Sequence, residues 1–210
     1  MSDIRHIHAP LTAAAVRELR AGDLVYLHGE VILCAGLTTH RRILQHMAEG
    51  RALPIDLAGS ALLHIGSYSE ESADGTLGIR YINPTTSTRF NEEMPAIIRG
   101  QRLQAVGGKG GLDARSVAAM QEVGCVYLSF LGGGSPLLSA SIREVKTVAW
   151  SDLIPHYRLV KVQVEALGPA VVGIDAHGVS LYENLKADAQ ARLPDIMAGL
   201  NAARTGGPSS

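Results

Sequence analysis

The 210-residue sequence predicts an α/β fold with a partly parallel sheet and crossover helices. Three observations point to it. From residue 103 onward, apolar runs of strand length alternate with amphipathic runs of helix length, a β-α-β-α-β rhythm that crossover connections turn into parallel strands. Three joints, NPTTSTRF (83–90), GGKGGLD (107–113) and FLGGGSP (130–136), carry glycines or hydroxyls where a strand should give way to a helix. No internal repeat or linker interrupts the chain, so residues 1–203 read as one domain, and RTGGPSS (204–210) reads as a disordered tail.

The elements follow in order. LTAAAVRELRAGD gives a helix over about 11–20, with Thr12 at its start and Gly22 past its end. LVYLHGEVILCAG (24–36) is one or two strands rich in Val, Leu and Ile. TTHRRILQHMAEG (38–50) is a helix entered through Thr38 or Thr39 and closed by Gly50. ALLHIG (61–66) is a buried strand, SYSEESADGT (67–76) a polar turn with an Asp-Gly signal, and LGIRYI (77–82) a short strand. LQAVGG (103–108) and CVYLSF (125–130) are strands around the helix LDARSVAAMQEVG (112–124). GGGSPLLSASIREV (132–145) reads as a glycine-opened helix leading to the strand KTVAW (146–150). YRLVKVQVEALG (157–168) alternates, with Val160, Val162 and Val164 on one side, and AVVGIDAHG (170–178) is a strand and turn. SLYENLKADAQARLPDIMAGLNAA (180–203) is a C-terminal helix.

Composition narrows the functional classes. Nineteen basic and 20 acidic residues give a net charge of −1, and aromatics are only 4%, so neither a charged field nor a stacking surface recruits nucleic acid. No apolar run reaches the ~20 residues that span a bilayer, and the N-terminus lacks the apolar core of a signal peptide. These features read as a cytoplasmic protein that binds neither membrane nor nucleic acid. The two cysteines, Cys34 and Cys125, lie singly in apolar segments and read as buried reduced thiols. Two thiols cannot ligate a four-iron cluster, and the eight histidines show no metal-ligand spacing.

NPTTSTRF is the most unusual stretch. One helix cap explains one hydroxyl. Thr85, Thr86, Ser87 and Thr88 followed by Arg89 exceed that need. With a helix starting at Thr85 or Thr86, Thr86 and Arg89 share a face, and the guanidinium leans back over the turn. GGKGGLD adds Lys109. Hydroxyls, unpaired helix-start N–H groups and two cations suit a small carboxylate or phosphate. GGKGGLD is not a nucleotide P-loop, since no Ser or Thr follows the Lys. GGGSP carries no charge and reads as close helix–strand packing.

NPTTSTRF and then GGKGGLD, together with LRAGDLVYLHGEV, THRRI, PIDLAGSALLHIG, VYLSFLGGGSPLLSASI and VEALGPAVVGIDAHGVSLYEN, resemble the iron–sulfur class I fumarase and L(+)-tartrate dehydratase family. The family patterns are G-P-T-T-S-x-R-M and G-K-G-G-M. The resemblance covers roughly residues 10–186, and the length matches the separate β subunit of two-subunit members or the C-terminal domain of single-chain members. It implies a swivelling β/β/α fold and reversible hydration of a small dicarboxylate. It also implies a [4Fe–4S] cluster on a partner α-type subunit, with no cofactor on this chain, in a hetero-oligomer or with this chain as a homodimer. By the same resemblance Thr86 is the catalytic base, and Thr85, Arg89, Lys109 and His40 are substrate-binding candidates. A threonine is a poor base unless nearby cations and N–H groups stabilise its deprotonated form, which explains why hydroxyls and cations would be packed together.

Departures are Asn83 for Gly, Phe90 for Met and, above all, CAGLTTHRR where the family reads R-D-x-x-H. Gly36 takes the arginine position and Leu37 the aspartate position. His40 is then either a site residue or a helix-start histidine, and Arg41 and Arg42 are either solvated helix charges or site residues. His177 reads as structural or interfacial. Intact Thr86, Arg89 and Lys109 favour a hydro-lyase subunit, whereas Gly36 and Leu37 favour a non-catalytic anion-binding subunit.

Overall fold

A computed structural model of the chain describes residues 4–205. The strands are β1 (Arg5–His8), β2 (Leu24–Leu33), β3 (Ala61–Leu63), β4 (Ile65–Glu71), β5 (Leu77–Pro84), β6 (Ala105–Gly108), β7 (Val126–Phe130), β8 (Ile142–Ala149) and β9 (Leu159–Ile174). The helices are α1 (Ala13–Arg17), α2 (Leu37–Ala48), α3 (Met94–Gln101), α4 (Ala114–Val123), α5 (Ser135–Ser139) and α6 (Leu181–Thr205), with 3-10 turns at Ser87–Phe90 and Pro155–Tyr157.

The main sheet runs β1-β2-β3-β6-β7-β9-β8, and β2 also pairs with β9. β1, β2, β3, β6 and β7 are mutually parallel along this order, whereas β9 is antiparallel to β2, β7 and β8. Because β9 bonds to β2 along one edge and to β7 along the other, β2, β3, β6, β7 and β9 close into a ring. Strand alternation then sorts the side chains into two cores. Val31, Leu33, Leu63, Ala105, Leu128, Val162 and Val172 join one, with a contribution from every ring strand. Ile32, Leu62, Val106 and Tyr127 join the other, under Ile43 of α2, Ile97 and Ile98 of α3 and Met120 of α4.

The local signals largely hold. Thr12 caps α1 by accepting from the Ala15 N–H at 3.2 Å, and Asp113 caps α4 by accepting from Ser116 N–H at 3.0 Å. Gly124 closes α4 in the left-handed conformation. Val160, Val162 and Val164 are buried together, as their alternation predicts. α2 differs at its start, since Gly36 is its N-cap, and Thr39 instead donates to the Tyr157 carbonyl.

Three expectations are corrected. ALLHIG does not form one strand: β3 stops at Leu63, and the chain turns through His64 into a separate two-stranded sheet of β4 and β5. The stretch 132–145 is not one long helix, since α5 is five residues and β8 follows, antiparallel to β9. Its Ile142, Val145 and Val148 all pack on the core at a spacing of three, which imitates a helical period. Register shifts between Ile142 and Glu144 and between Val145 and Thr147 insert extra residues, and these bulges stretch the usual spacing of two. The C-terminal helix reaches Thr205, so residues 204 and 205 of the expected tail are helical, and 206–210 lie outside the described residues. Within the described residues no helix is long and apolar enough to cross a membrane.

Candidate active site

NPTTSTRF is placed by a gap in the sheet. β3 and β6 separate just beyond their carboxyl ends, and the chain after β5 wedges between them. His64 N–H donates to Gly107 C=O at 2.6 Å, and the His64 carbonyl accepts from Thr85 N–H at 2.7 Å. Thr85 C=O accepts from Lys109 N–H at 3.0 Å, and Lys109 C=O from Ser87 N–H at 2.8 Å. Thr86 and Lys109 thereby face each other as a parallel bridge. NPTTSTRF and GGKGGLD, with Thr86 and Lys109 23 residues apart in number, are thus held side by side by backbone hydrogen bonds beyond the carboxyl ends of the parallel strands β3 and β6. Gly108 is required by this approach. A Cβ there would run into Ser87 Oγ and lie 3.0 Å from both His64 Cβ and Thr85 O.

The four hydroxyls have different fates. Ser87 is buried and its Oγ lies 2.8 Å from His64 Nδ1 and 2.8 Å from the Tyr127 hydroxyl. His64 Nε2 lies 3.3 Å from the Met94 sulfur. Burial, followed by the neighbouring His40, pushes the His64 pKa well below the usual range, so His64 is neutral. A consistent assignment runs from Tyr127 O–H to Ser87 Oγ, from Ser87 O–H to His64 Nδ1, and from His64 Nε2–H to the thioether. Thr86 occupies the N-cap position of the 3-10 turn, yet its side chain makes no capping bond. The helix starting at Thr85 or Thr86 is therefore a short 3-10 turn from Ser87. Thr85 and Thr86 are half-buried and Thr88 is exposed. Of the four hydroxyls only that of Ser87 is tied into the fold by side-chain hydrogen bonds among the described residues, while Thr86 contributes its backbone to the bridge with Lys109.

Lys109 is half-buried, and its stem passes over Gly132, where a Cβ would sit 3.5 Å from Lys109 Cδ and 3.9 Å from Nζ. This brings FLGGGSP beside the other two turns, at ordinary van der Waals distance. Arg89 is exposed at the end of the 3-10 turn. Among the described residues neither Arg89 nor Lys109 has a carboxylate in ion-pair range. Arg41 and Arg42 do: Arg41 pairs with Glu93 at 3.3 Å, and Arg42 grips Asp152 through two bonds of 2.9 and 2.8 Å with its guanidinium 5.3 Å from the Trp150 ring. The two cations at the wedge are the ones left to meet an external anion.

His40 is fully buried below the 3-10 turn. Its ring stacks on Phe90 at 4.0 Å, and its Nδ1–H donates to Gly36 C=O at 2.7 Å. Burial lowers its pKa to about 4 against the opposing pull of the Gly36 carbonyl, so it too is neutral near pH 7. Among the described residues its Nε2 is buried without a partner. This geometry serves the start of α2 and backs Phe90, next to Arg89. Gly36 is hemmed in, since a Cβ there would lie 2.6 Å from Tyr157 Cβ. His177 is structural, accepting from Arg20 Nη1 at 2.6 Å. His64 and Tyr127 were not singled out from the sequence. The one available signal was an imidazole inside an otherwise apolar ALLHIG run.

Comparison with known proteins places this arrangement. Residues 3–185 match the family described as Fumarase C-terminus. The chain belongs to that family. Among relatives of this Fumarase C-terminus chain, a Methanocaldococcus jannaschii protein named "Putative L(+)-tartrate dehydratase subunit beta" is 31% identical over 89% of this chain and 95% of its own length. The Escherichia coli (strain K12) "L(+)-tartrate dehydratase subunit beta" is 30% identical over 89% of this chain and 91% of its own. A Geobacillus stearothermophilus "Putative fumarate hydratase class I" is 29% identical, with 89% of this chain matching 35% of that longer protein. The Fumarase C-terminus assignment extends across the wedge and both cations, and it ends at residue 185, shortly after α6 begins.

Proposed function

We propose that this chain is the β subunit of an iron–sulfur hydro-lyase that adds or removes water on a small dicarboxylate, of the fumarate/malate or tartrate/oxaloacetate type. It would act only together with an α-type subunit, as one swivelling β/β/α domain over residues 1–203. The observation that carries this reading is the wedge itself. Thr86, whose side chain makes no capping bond, is bridged through the backbone to Lys109 and followed by Arg89, and among the described residues neither cation has a carboxylate in ion-pair range. Relatives named as tartrate dehydratase β subunits and a class I fumarate hydratase support the reaction class.

In this reading Lys109 and Arg89 grip substrate carboxylate and the charge that develops beside it, Thr85 contacts substrate, and His40 fixes the Phe90–Arg89 turn from beneath. Thr86 takes the proton from the carbon next to the leaving hydroxyl. The two cations and the turn's N–H groups lower the cost of its alkoxide. The cluster does not fit this chain. Cys34 and Cys125 are both buried, with burial pushing the Cys34 thiol up to about 12 and the Cys125 thiol higher still. Among the described residues no three His, Cys, Asp or Glu converge on a metal position. The [4Fe–4S] cluster is therefore assigned to the α-type partner, where it would supply Lewis acidity toward the substrate hydroxyl and a carboxylate.

Substrate choice within this class is read from Gly36, which stands where the resemblance places an arginine. One charge-assisted hydrogen bond is worth roughly 1.5–3 kcal/mol, about ten- to a hundredfold in affinity. Arg41 and Arg42 are held elsewhere, and the space over Gly36 is filled by Tyr157. The complex is therefore expected to be weak on plain fumarate, with kcat/KM at least ~10-fold below that of a substrate with a bulkier or less charged distal group, the comparison set being fumarate, mesaconate, tartrate and 2-methylmalate. Comparing these four substrates with the reconstituted complex checks this. Fumarate as the best substrate contradicts the Gly36 reading. Dicarboxylate binding with no turnover on any of them favours the non-catalytic anion-binding subunit.

A further inference from the structure

The β1 edge of the main sheet carries a histidine cluster that the candidate site does not use. β1 bonds to β2 alone, and Ile7 is the buried residue among its four. His6 and His8 share a face of β1 by strand alternation, and His28 stands opposite His8 in the register of β2. The His8 ring stacks on the His28 ring at 4.6 Å, and the His6 ring lies 5.1 Å from it. His28 also faces a bulge. Between the pairs Leu27–Leu167 and Gly29–Val164, β9 sets Glu165 and Ala166 against this one residue. His28 thereby touches both β1 and β9. Its carbonyl accepts from Ala9 N–H at 2.7 Å, its Nδ1 accepts from Ala166 N–H at 3.2 Å, and its Nε2 lies 2.8 Å from His6 Nδ1.

The proton positions follow from the one donor whose role is fixed. A backbone N–H can only donate, so His28 Nδ1 is a bare acceptor and the ring proton sits on Nε2. Nε2–H then donates to His6 Nδ1, which must be bare as well. Neither ring has room for a second proton. One on His28 Nδ1 would face the Ala166 N–H, and one on His6 Nδ1 would face the His28 Nε2–H. His8 adds a like charge against the stacked His28 ring when it is protonated. The neighbouring charges are largely committed elsewhere. Glu165, the carboxylate that favours a charged His28, is held by Arg143 at 2.8 Å. Glu30 is held by Lys161 at 2.6 Å, and Arg5 by Glu18 and Asp23. Burial first, and then His8 and His6, hold the His28 pKa below its ordinary value against the pull of Glu165. We infer that His6, His8 and His28 form a proton-operated latch, which ties β1 to β2 and to the β9 bulge when neutral and lets this edge strand loosen when protonated. The open cluster takes up protons near pH ~6.5 that the closed one refuses, so attachment is full above that pH and weakens as the pH falls through it. With Ile7 as its buried residue, β1 depends heavily on this joint, and loosening uncovers the Val25–His28 edge of β2.

Two NMR measurements on the full chain test this. Imidazole nitrogen shifts read the closed state, and at about pH 7.5 His28 is expected as the Nε2–H tautomer with Nδ1 bare. Amide hydrogen exchange reads the opening. With the open rings titrating near ~6.5 and the closed ones unable to bind the proton, each proton taken up makes opening about tenfold more favourable between roughly pH 7.5 and 5.5. After correction for the intrinsic pH dependence of exchange, the Ala9 and Ala166 amides should lose at least ~10-fold in protection over that interval. The Val106 and Leu128 amides, in the middle of the sheet, should keep theirs. His28→Asn offers an amide oxygen near the Nδ1 position and does not titrate, so it should remove the pH dependence at Ala166. Four results overturn the proposal: His28 found as the Nδ1–H tautomer, protection at Ala9 and Ala166 that does not change with pH, an equal loss at Val106 and Leu128, or the same pH dependence at Ala166 in His28→Asn.

Discussion

Thr86→Ala is expected to lower kcat of the reconstituted complex by at least ~10²-fold, the low end for removing a general base. The same change should leave stability within about 0.5 kcal/mol of wild type. The second half follows from geometry. A capping threonine loses about 1 kcal/mol on truncation, but the Thr86 side chain makes no capping bond. Thr88→Ala is the matched control: it removes a hydroxyl two residues away, exposed and outside the bridge to Lys109. Steady-state turnover and denaturant unfolding on both variants separate the readings. If Thr86→Ala and Thr88→Ala turn over alike, Thr86 is not the base. If Thr86→Ala loses rate only in proportion to lost stability, its role is structural.

Ser87→Ala should behave in the opposite way, as the substitution in this turn with the largest effect on stability. It strips a partner from two buried groups at once, His64 Nδ1 and the Tyr127 hydroxyl, each 2.8 Å away. An orphaned buried polar group costs about 1–3 kcal/mol, so the expected loss is roughly 2–4 kcal/mol. Tyr127→Phe removes only the outer donor, and Ser87 keeps its bond to His64, so the expected loss is about 1 kcal/mol. The order Ser87→Ala, then Tyr127→Phe, then Thr88→Ala is checked by urea unfolding. A Ser87→Ala protein as stable as Thr88→Ala would mean that the His64–Ser87–Tyr127 chain does not hold the wedge.

Much of this was legible in the sequence, for physical reasons that differ by element. The parallel strands β6 and β7 are short and apolar, and their crossover helix α4 carries its own cap and left-handed glycine, so local signals sufficed. The second half of β8 was read as a strand, but its first half was misread because two bulges give Ile142, Val145 and Val148 a spacing of three, and period alone cannot tell that from a helix. β1 went unread because only Ile7 of its four residues is buried, which leaves almost no pattern on an edge strand. Ring closure through β9 was invisible because it depends on one strand serving two edges. At the site, the hydroxyl cluster, Arg89 and Lys109 stood out by composition, but the division of labour among the hydroxyls did not. That Ser87 is the structural one depends on His64 and Tyr127, distant in sequence and each unremarkable alone.

In the proposed function this chain supplies the proton-abstracting, anion-gripping half of a site whose cluster lies on another subunit. The most direct measurement is to titrate the purified chain, under anaerobic conditions, into a fixed amount of the cluster-bearing α-type subunit and follow dehydration of L(+)-tartrate, with iron and sulfide assayed on each component. No turnover and no bound iron are expected for this chain alone, and a rate that rises with added chain and saturates at equimolar amounts. Stoichiometric iron–sulfur with turnover in the isolated chain, or full activity of the α-type subunit without it, would overturn the assignment of the two halves.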